Sequence, residues 1–341
     1  MTGSAAPDAP RARVLGDVGG TNARFAWQDA SGAPIRDIAV LPTADHPSLE
    51  AALREYLTQS AHPLPADCAI AMANPVIGDW VKMTNHNWAF SIAAMRASLG
   101  VDRLLILNDF TALALSLPAL GPADLRQVGR GGAESGAARG VIGPGTGLGV
   151  SGLLPDGDGG WVPVQGEGGH VTLATRTPRE HAVAVHLEAQ YGHASAERAV
   201  SGPGLADVYR ALCAIDRVSC RDIGAEEITR AAIDAHEPPA VEAVNMLCAF
   251  LGTVAGNLAL TLGALGGIYL AGGIVPRLGA FFDASPFRER FENKGRFSAY
   301  VSRIATYVIV SETSPALLGA SRALDGSASF GPRTGNTPAP R

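Results

Sequence analysis

The chain has 341 residues, of which 47% are apolar and 17% are charged, and its formal net charge is −5. This many apolar residues excludes a globally disordered chain and is enough to build the cores of two domains. The negative charge, without any run of lysine or arginine, argues against a nucleic-acid partner, because such binding depends on clustered cations.

The cysteines and the first residues of the chain indicate the cellular compartment in which the protein is expected. The four cysteines form no C-x-x-C pair, so we expect neither a disulfide framework nor a structural zinc site. A cytoplasmic location fits best, and the first ten residues lack the basic and apolar segments of a signal peptide. We expect residues 1–11 and 325–341, which are mainly small, polar or proline residues, to be disordered tails.

In chain order, the first predicted element is a β-hairpin of RVLGD and ARFAWQ, joined by a glycine turn. Apolar residues at helical spacing then predict a helix near 47–60, followed by the strand CAIAMA. A second helix near 91–99 begins at Ser91 and ends at Gly100. The buried strand LLILN and a helix from Phe110 to Leu117 complete the first part.

The middle of the chain begins with two short strands around a tight turn, GVIGPGTGLGVSGLL. Thr177 and Glu180 form a predicted capping box with proline at the first helical position, so a helix runs to about Gln190. A helix near 204–214, a long helix near 241–264 and the strand GIYLAG follow. A helix after Pro276, the strand ATYVIVS and a helix near 314–324 end the pattern.

The long helix has a composition that a membrane span could also have. No charged residue occurs from Ala243 to Pro276, and Gly252 with Gly256 forms the G-x-x-x-G pair of associating membrane helices. Polar residues and two Gly-Gly pairs interrupt the run, which favours a buried helix, a turn and a buried strand, and no membrane partner.

Strands with a hairpin, then a crossover helix, occur twice, so we expect two α/β domains with a cleft.

Three glycine clusters each follow an apolar strand, at residues 16–22, 143–149 and 271–273. Glycine lets backbone N–H groups approach a phosphate closely, so such turns can hold a polyphosphate. A single cluster is more often an ordinary tight turn, but three together favour a nucleotide site.

The kind of nucleotide site can be narrowed. A P-loop is excluded, because no G-x-x-x-x-G-K-[ST] motif occurs and the chain has only two lysines, Lys82 and Lys294. Residues 147–152 match G-x-G-x-x-G, but a dinucleotide site requires a helix there. The following residues, LLPDGDGGWVPVQGEGG, cannot form one.

Several long motifs, in order, carry a resemblance to one family: GDVGGTNAR, MTNHNWAFS, LNDFTA, GTGLG, GEGGH, SAERAVSGPG and LAGGIVPR. In these the chain, from about Arg13 to Leu324, resembles the bacterial glucokinases of the hexokinase branch of the actin-like ATPases. The resemblance implies a two-domain actin-like (ribonuclease H-like) α/β fold with a mixed sheet in each domain and an interdomain cleft. We expect a smaller domain of residues 1–119 and 312–341 and a larger domain of residues 120–311.

The resemblance also implies transfer of a phosphoryl group from MgATP to the 6-hydroxyl of D-glucose, a step that feeds glycolysis, by a homodimer. It places the nucleotide at residues of the three glycine clusters: Gly16, Asp17, Val18, Gly19, Gly20, Thr21, Gly145, Thr146, Gly147, Gly272 and Gly273. Asp17 is assigned to a magnesium-bound water, since magnesium keeps several waters. The alternative for Asp17 is a turn aspartate that bonds its own backbone.

Phosphoryl transfer to a hydroxyl needs a carboxylate that orients the hydroxyl and takes its proton. Asp109 follows a buried strand, and local sequence leaves open whether it or Asn108 merely caps the next helix. The family implies that Asp109 is the base and that the sugar ligands are Asn108, Asp109, Glu167, His170 and Glu197.

Each of these residues also has an ordinary interpretation. His170 alone is typical of a structural histidine and Glu167 of a solvated loop charge. Glu197 is typical of a first-turn helix acid after a cap at Ser195.

Two rival functions remain. A sugar-responsive transcription regulator shares this kind of fold, but it would need a basic helix-turn-helix before the first strand, where only about twelve residues stand. An actin-like phosphatase or polyphosphate hydrolase would not need the sugar-ligand set.

Pro144 departs from the family pattern and is expected to stiffen its hairpin. Mannose or fructose as acceptor and polyphosphate as donor stay open.

Overall fold

The structure is a computed structural model that describes residues 11–326. The chain divides into two compact units, one of the residues up to Ala119 with those from Glu312, the other of Leu120–Ser311. Most of the two predicted tails lies outside the described residues. The prediction was wrong for Asp325, which ends a helix and pairs with Arg13 at 2.5 Å. It was also wrong for Arg11, which pairs with Asp67 at 2.8 Å.

The first unit is built on a five-stranded mixed sheet in the order β3-β2-β1-β4-β7. Its strands are β1 (Arg13–Val18), β2 (Asn22–Gln28), β3 (Arg36–Pro42), β4 (Asp67–Met72) and β7 (Arg103–Asn108). A separate ribbon consists of β5 (Trp80–Lys82) and β6 (Ala89–Ser91). The hairpin of β1 and β2 is antiparallel, as predicted, whereas β1, β4 and β7 run parallel.

Helices cover both faces of this sheet: α1 (Leu49–Gln59), α2 (Ile92–Leu99), α3 (Asp109–Ser116) and α12 (Pro315–Asp325). One face holds the larger core, where Val14, Phe25 and Leu53 are buried. On the other face, Leu15 packs against Leu317 of α12. Helix α2 has the predicted bounds because the Ser91 hydroxyl accepts a hydrogen bond from Ala94 N and Gly100 ends it in the left-handed region.

The second unit contains a six-stranded mixed sheet in the order β11-β10-β9-β12-β13-β8. Its strands are β8 (Leu125–Val128), β9 (Arg139–Pro144), β10 (Leu148–Pro155), β11 (Trp161–Val164), β12 (Ile268–Leu270) and β13 (Thr306–Ile309). Strands β9, β12 and β13 are parallel, and β9, β10 and β11 form an antiparallel meander. Both sheets therefore share a three-stranded meander followed by two parallel strands, which confirms the predicted mixed sheet in each half.

Eight α-helices accompany this sheet in the described chain: α4 (Pro178–Tyr191), α5 (Gly202–Asp216), α6 (Ala225–Ile233), α7 (Pro238–Leu262), α8 (Ile274–Leu278), α9 (Ala280–Ala284), α10 (Phe287–Glu292) and α11 (Ser298–Val301). Helix α6 was not predicted from the sequence. One helix was predicted after Pro276, but four short helices stand there, and the first, α8, begins at Ile274. Pro276 fits within this first turn, where its missing N–H would have no helical partner.

Helix α7 is long and apolar enough to cross a membrane, but 78% of its most apolar window is buried inside the protein. Gly252 and Gly256 form the close contact of α7 with α10. A Cβ atom on Gly252 would collide with the carbonyl oxygen of Phe287, and one on Gly256 would lie 2.6 Å from that of Phe291. The G-x-x-x-G pair thus allows two helices to approach within the second unit.

We predict that Gly252→Ala destabilises the protein by about 1–3 kcal/mol, because the added methyl group forces α7 and α10 apart. On an open helix surface the same change would stabilise by about 1 kcal/mol. Urea denaturation measures the difference. Leu260→Ala, on the exposed side of the same helix, is the control and should change the free energy of unfolding by only about 0.5 kcal/mol. A stabilising Gly252→Ala would contradict the packing.

Lys294 lies beside this helix pair, and its ammonium group donates to the backbone oxygen of Thr253 at 2.9 Å and to Asn257 Oδ1 at 2.7 Å. Burial lowers the pKa of Lys294 to about 8, with the charges of Arg176 and Arg290 acting in the same direction. The charged lysine is therefore disfavoured in the folded state.

We predict that the free energy of unfolding, relative to Lys294→Met, rises between pH 8 and pH 10. In that range the unfolded chain binds a proton that the folded chain has released, so stability increases with pH. Below pH 8 both states carry the charge and the difference levels off. Urea denaturation across this range, with Lys82→Met as the control for loss of a lysine, measures the effect. A difference that falls with pH would contradict it.

Candidate functional site

Three parallel strands of the first unit end at the same edge of the sheet. Val18 pairs with Met72, and Met72 pairs with Asn108, so the carboxyl ends of β1, β4 and β7 are level. The turn after β1, the loop after β4 and the start of α3 therefore lie together. In open α/β sheets this is the edge at which ligands bind.

The first glycine turn is short and closely packed. Gly19 N donates to Asn22 O at 2.9 Å, and a Cβ atom on Gly20 would lie 3.0 Å from that of Asn85. Thr21 is exposed beside it. Two of the predicted nucleotide residues, Gly16 and Val18, instead lie buried in β1, where Gly16 lets the side chain of Ile70 approach.

Asp17 lies at the end of β1 and is held by two side chains. Its Oδ2 atom accepts hydrogen bonds from Arg24 Nη1 and from Ser314 Oγ, both at 2.8 Å. Arg24 is directly opposite in the β1–β2 register, and Ser314 precedes α12. In the described part of the chain, no group of three or more His, Cys, Asp or Glu side chains could hold a metal ion.

Asn108 is the cap of α3. Its Oδ1 atom accepts hydrogen bonds from Phe110 N at 2.9 Å and Thr111 N at 3.1 Å, while its Nδ2 group donates to Asn74 O at 3.4 Å. The sequence left open whether Asn108 or Asp109 caps this helix, and the structure shows that Asn108 does. Because the Oδ1 oxygen is used by the helix, Asn108 presents only its amide donors to a ligand.

Asp109 is the first residue of α3 and is half-buried at the same edge. One of its carboxylate oxygens, Oδ1, accepts a hydrogen bond from Phe110 N at 2.9 Å. A carboxylate in the first turn of a helix is stabilised by the helix dipole. Local structure thus fixes Asp109 beside its capping neighbour, Asn108.

In the second unit, two glycine clusters meet at the corresponding edge of the sheet. The turn between β9 and β10 is closed by Gly145 N, which donates to Gly147 O at 2.8 Å, and Thr146 at its tip is exposed. Gly272 has a φ of +78°, and a Cβ atom added to it would collide with the carbonyl oxygen of Pro144, so only glycine fits there. Gly272 and Gly273 are both exposed.

Glu197 connects the second glycine turn to the loop that carries Glu167 and His170. Its Oε2 atom accepts a hydrogen bond from Leu148 N at 2.8 Å, and its own N–H donates to Gly169 O at 2.9 Å. Glu167 and His170 are exposed on either side of Gly169. The second unit thus brings its three predicted sugar ligands onto neighbouring backbone segments.

The interpretation of Glu197 as a first-turn helix acid is wrong. Residues 197–199 form a turn, and α5 begins only at Gly202, where the Ser201 hydroxyl accepts a hydrogen bond from Gly204 N at 3.0 Å. Arg24, Asn74 and Ser314 were not predicted as partners of site residues. Two signals were available: the hairpin register for Arg24, and a serine before a proline at a helix start for Ser314.

A cavity of about 430 Å³ lies elsewhere in the second unit, between α4, α7 and α10. Three arginines and three glutamates line it, so its charge is balanced, and Arg290 forms a buried pair with Glu180. Thr177 caps α4 here as predicted, but the Glu180 carboxylate binds Arg290 and Arg176 N. None of the predicted site residues lines this cavity.

Comparison with known proteins extends over nearly the whole described chain. A family model described as Glucokinase matches residues 14–327. A glucokinase of Aromatoleum aromaticum is 52% identical over 92% of this chain and 94% of its own length. One of Chromobacterium violaceum is 51% identical over 90% and 87%. A crystal structure of a glucokinase from an Antarctic psychrotroph superimposes with a TM-score of 0.84 and 32% identity, covering 92% of this chain and 99% of that one.

The glycine turns, the carboxylates at the strand ends and these similarities define an ATP-dependent hexose kinase. Within that class, the chain belongs to the glucokinase family.

Proposed function

We propose that the protein transfers the γ-phosphoryl group of MgATP to the 6-hydroxyl of D-glucose, giving glucose 6-phosphate and ADP for glycolysis. The observation that carries this proposal is the position of Asp109, at the carboxyl end of β7 and level with the turn that follows β1. We also infer an actin-like ATPase fold, because the two sheets repeat one strand order with the same parallel and antiparallel partners.

We propose that Asn108, Asp109, Glu167, His170 and Glu197 are ligands of glucose. Glucose is an uncharged polyol, so its recognition depends on several fixed hydrogen bonds. The three carboxylates supply acceptors for sugar hydroxyls, and the amide of Asn108 supplies a donor. His170, exposed in its loop, supplies either role.

Asp109 is the proposed general base. Its carboxylate orients the 6-hydroxyl and accepts the hydroxyl proton as the new oxygen–phosphorus bond forms. The bond from the γ-phosphorus to the bridging oxygen breaks at the same time, and that oxygen leaves with ADP. The helix start holds Asp109, so little reorganisation is needed at the moment of reaction.

The nucleotide phosphates are proposed to lie on Gly19, Gly20 and Thr21 and on Gly145, Thr146 and Gly147, with the adenosine at Gly272 and Gly273. These turns suit a polyphosphate: a Cβ on Gly145 would meet no atom within 4 Å, so there is room for a ligand beside this turn. Magnesium would neutralise phosphate charge. Asp17 is the residue we propose to hold a magnesium-bound water, through the carboxylate oxygen opposite its pair with Arg24.

We further propose a homodimer in the cytoplasm, from family resemblance. A polyphosphate donor and an actin-like phosphatase activity are the competing possibilities. Release of ADP that depends on glucose supports the kinase, whereas release of phosphate without glucose supports the phosphatase. An assay with ATP or polyphosphate as donor, and with glucose, mannose or fructose as acceptor, separates these possibilities.

We predict that Asp109→Asn lowers kcat by about 10²–10⁴-fold, since it removes the base and keeps the shape of the side chain. Glucose binding should be retained, as measured by calorimetry on the same variant. Asp102→Asn, an exposed aspartate that precedes β7, is the control and should leave kcat unchanged. A kcat for Asp109→Asn equal to that of the wild type would contradict the proposal that Asp109 is the general base.

We predict that Gly147→Ala raises the KM for glucose by about tenfold, because its Cβ atom would collide with the Glu197 carboxylate and displace a proposed sugar ligand. Steady-state kinetics with glucose varied at saturating ATP gives the value. Gly145→Ala, two residues away in the same turn with open space around its Cβ, is the matched control and should keep the glucose KM. Equal glucose KM values for both variants would count against a sugar role for Glu197.

A further inference from the structure

The first glycine turn presents an electrostatic problem. It is the proposed cradle for a polyanion, yet the carboxylate of Asp17 lies one residue before the end of β1, beside this turn. A carboxylate and a phosphate repel each other unless a cation offsets one of the charges. The two lysines of the chain stand elsewhere in the sequence, Lys82 in β5 and Lys294 after α10, and neither lies in the β1–β2 hairpin.

Arg24 lies where it can offset the charge of Asp17. The two residues are opposite each other in the antiparallel register of β1 and β2, and Arg24 Nη1 is 2.8 Å from Asp17 Oδ2. The hydroxyl of Ser314, before α12, donates to the same oxygen at 2.8 Å. One carboxylate oxygen therefore receives two donors, from β2 and from the start of α12.

The exposure of this pair indicates a role other than stability. The side chains of Arg24 and Asp17 are 39% and 23% exposed. Ion pairs this accessible to solvent contribute little to folding stability. Their position, beside a turn whose backbone N–H groups are proposed to bind phosphate, makes the local charge matter more for a ligand than for the fold.

We propose that Arg24 is a positioning residue for nucleotide binding. It neutralises and orients Asp17, with the help of Ser314, so that the first glycine turn accepts the phosphates of the nucleotide. Arg24 acts through Asp17 and does not itself bind the phosphates. This inference rests on the proposed function, since it requires the nucleotide to lie at this turn.

A thermodynamic cycle of binding tests the inference. The variants are Arg24→Gln, Asp17→Asn and the double variant, and the probe is ADP, titrated by calorimetry with and without Mg²⁺. We expect Arg24→Gln to weaken ADP binding by about tenfold, since it leaves Asp17 as an uncompensated charge. In the Asp17→Asn background, the same change should alter ADP affinity less than about twofold, because no charge is left to offset.

Two further variants serve as controls. Arg24→Lys retains the charge and should keep most of the ADP affinity, which separates charge from a loss of folding. Arg36→Gln removes another arginine of the same sheet, one paired with Asp29 at 2.7 Å at the far end of the β2–β3 register from the turn. It should bind ADP like the wild type, and glucose affinity should be unchanged in Arg24→Gln.

The outcomes separate this inference from the proposed function. If Arg24→Gln weakens ADP binding equally in both backgrounds, Arg24 contacts the phosphates directly and the inference is overturned. It is also overturned if Arg24→Gln binds ADP like the wild type. A wild-type protein that binds ADP but does not phosphorylate glucose contradicts the proposed function and leaves the cycle interpretable.

Discussion

Parallel pairing at the centre of each sheet is the constraint on which the candidate residues of both units depend. Strands β1, β4 and β7 pair in parallel, and so do β9, β12 and β13, so the carboxyl ends of each set lie at one edge of its sheet. Segments far apart in sequence therefore leave each sheet at one edge. Without this register, Asp17 and Asp109 would have no reason to share an edge, and neither would the glycine turns after β9 and β12.

Close backbone approach is the second constraint, and it explains particular glycines better than flexibility does. Gly272 is needed because its φ is +78° and the carbonyl of Pro144 occupies the space of a side chain. Gly147 leaves room for the carboxylate of Glu197. By contrast, a Cβ atom on Gly145 would meet no atom within 4 Å, so packing does not require glycine there. The free space at Gly145 is the feature that packing leaves unexplained.

Local signals in the sequence predicted a large part of the fold. The caps at Ser91 and Thr177 depend on a side chain three residues from its partner, so the sequence contains both members of each contact. The buried strands and α7 were found from another local signal, their uninterrupted apolar residues. Helix α6 was not predicted, and it begins after Gly224 without a side-chain cap.

The candidate site could be predicted only in part, for a different physical reason. Motif resemblance identified Asp109 and Glu197 without giving their contacts. The bond from Leu148 N to Glu197 joins residues 49 apart, and that from Ser314 to Asp17 joins residues 297 apart. Such partners depend on how whole elements pack. The pair of Asp17 and Arg24 is different, because the short β1–β2 turn fixes the hairpin register and the register alone would have predicted it.

The capping of α3 by Asn108 narrows how a polyol could be recognised at the first unit. An amide ordinarily offers an acceptor as well as donors, so it can bind a hydroxyl that donates or one that accepts a hydrogen bond. Here the oxygen of Asn108 already accepts from Phe110 N and Thr111 N, so both of its lone pairs are engaged. Only N–H donors remain for a ligand, and a sugar oxygen that meets Asn108 must act as an acceptor. That frees the proton of this hydroxyl to point toward a carboxylate, the geometry that Asp109 would need in its proposed role as base. Helix capping and hydroxyl orientation are thus compatible demands on one side chain.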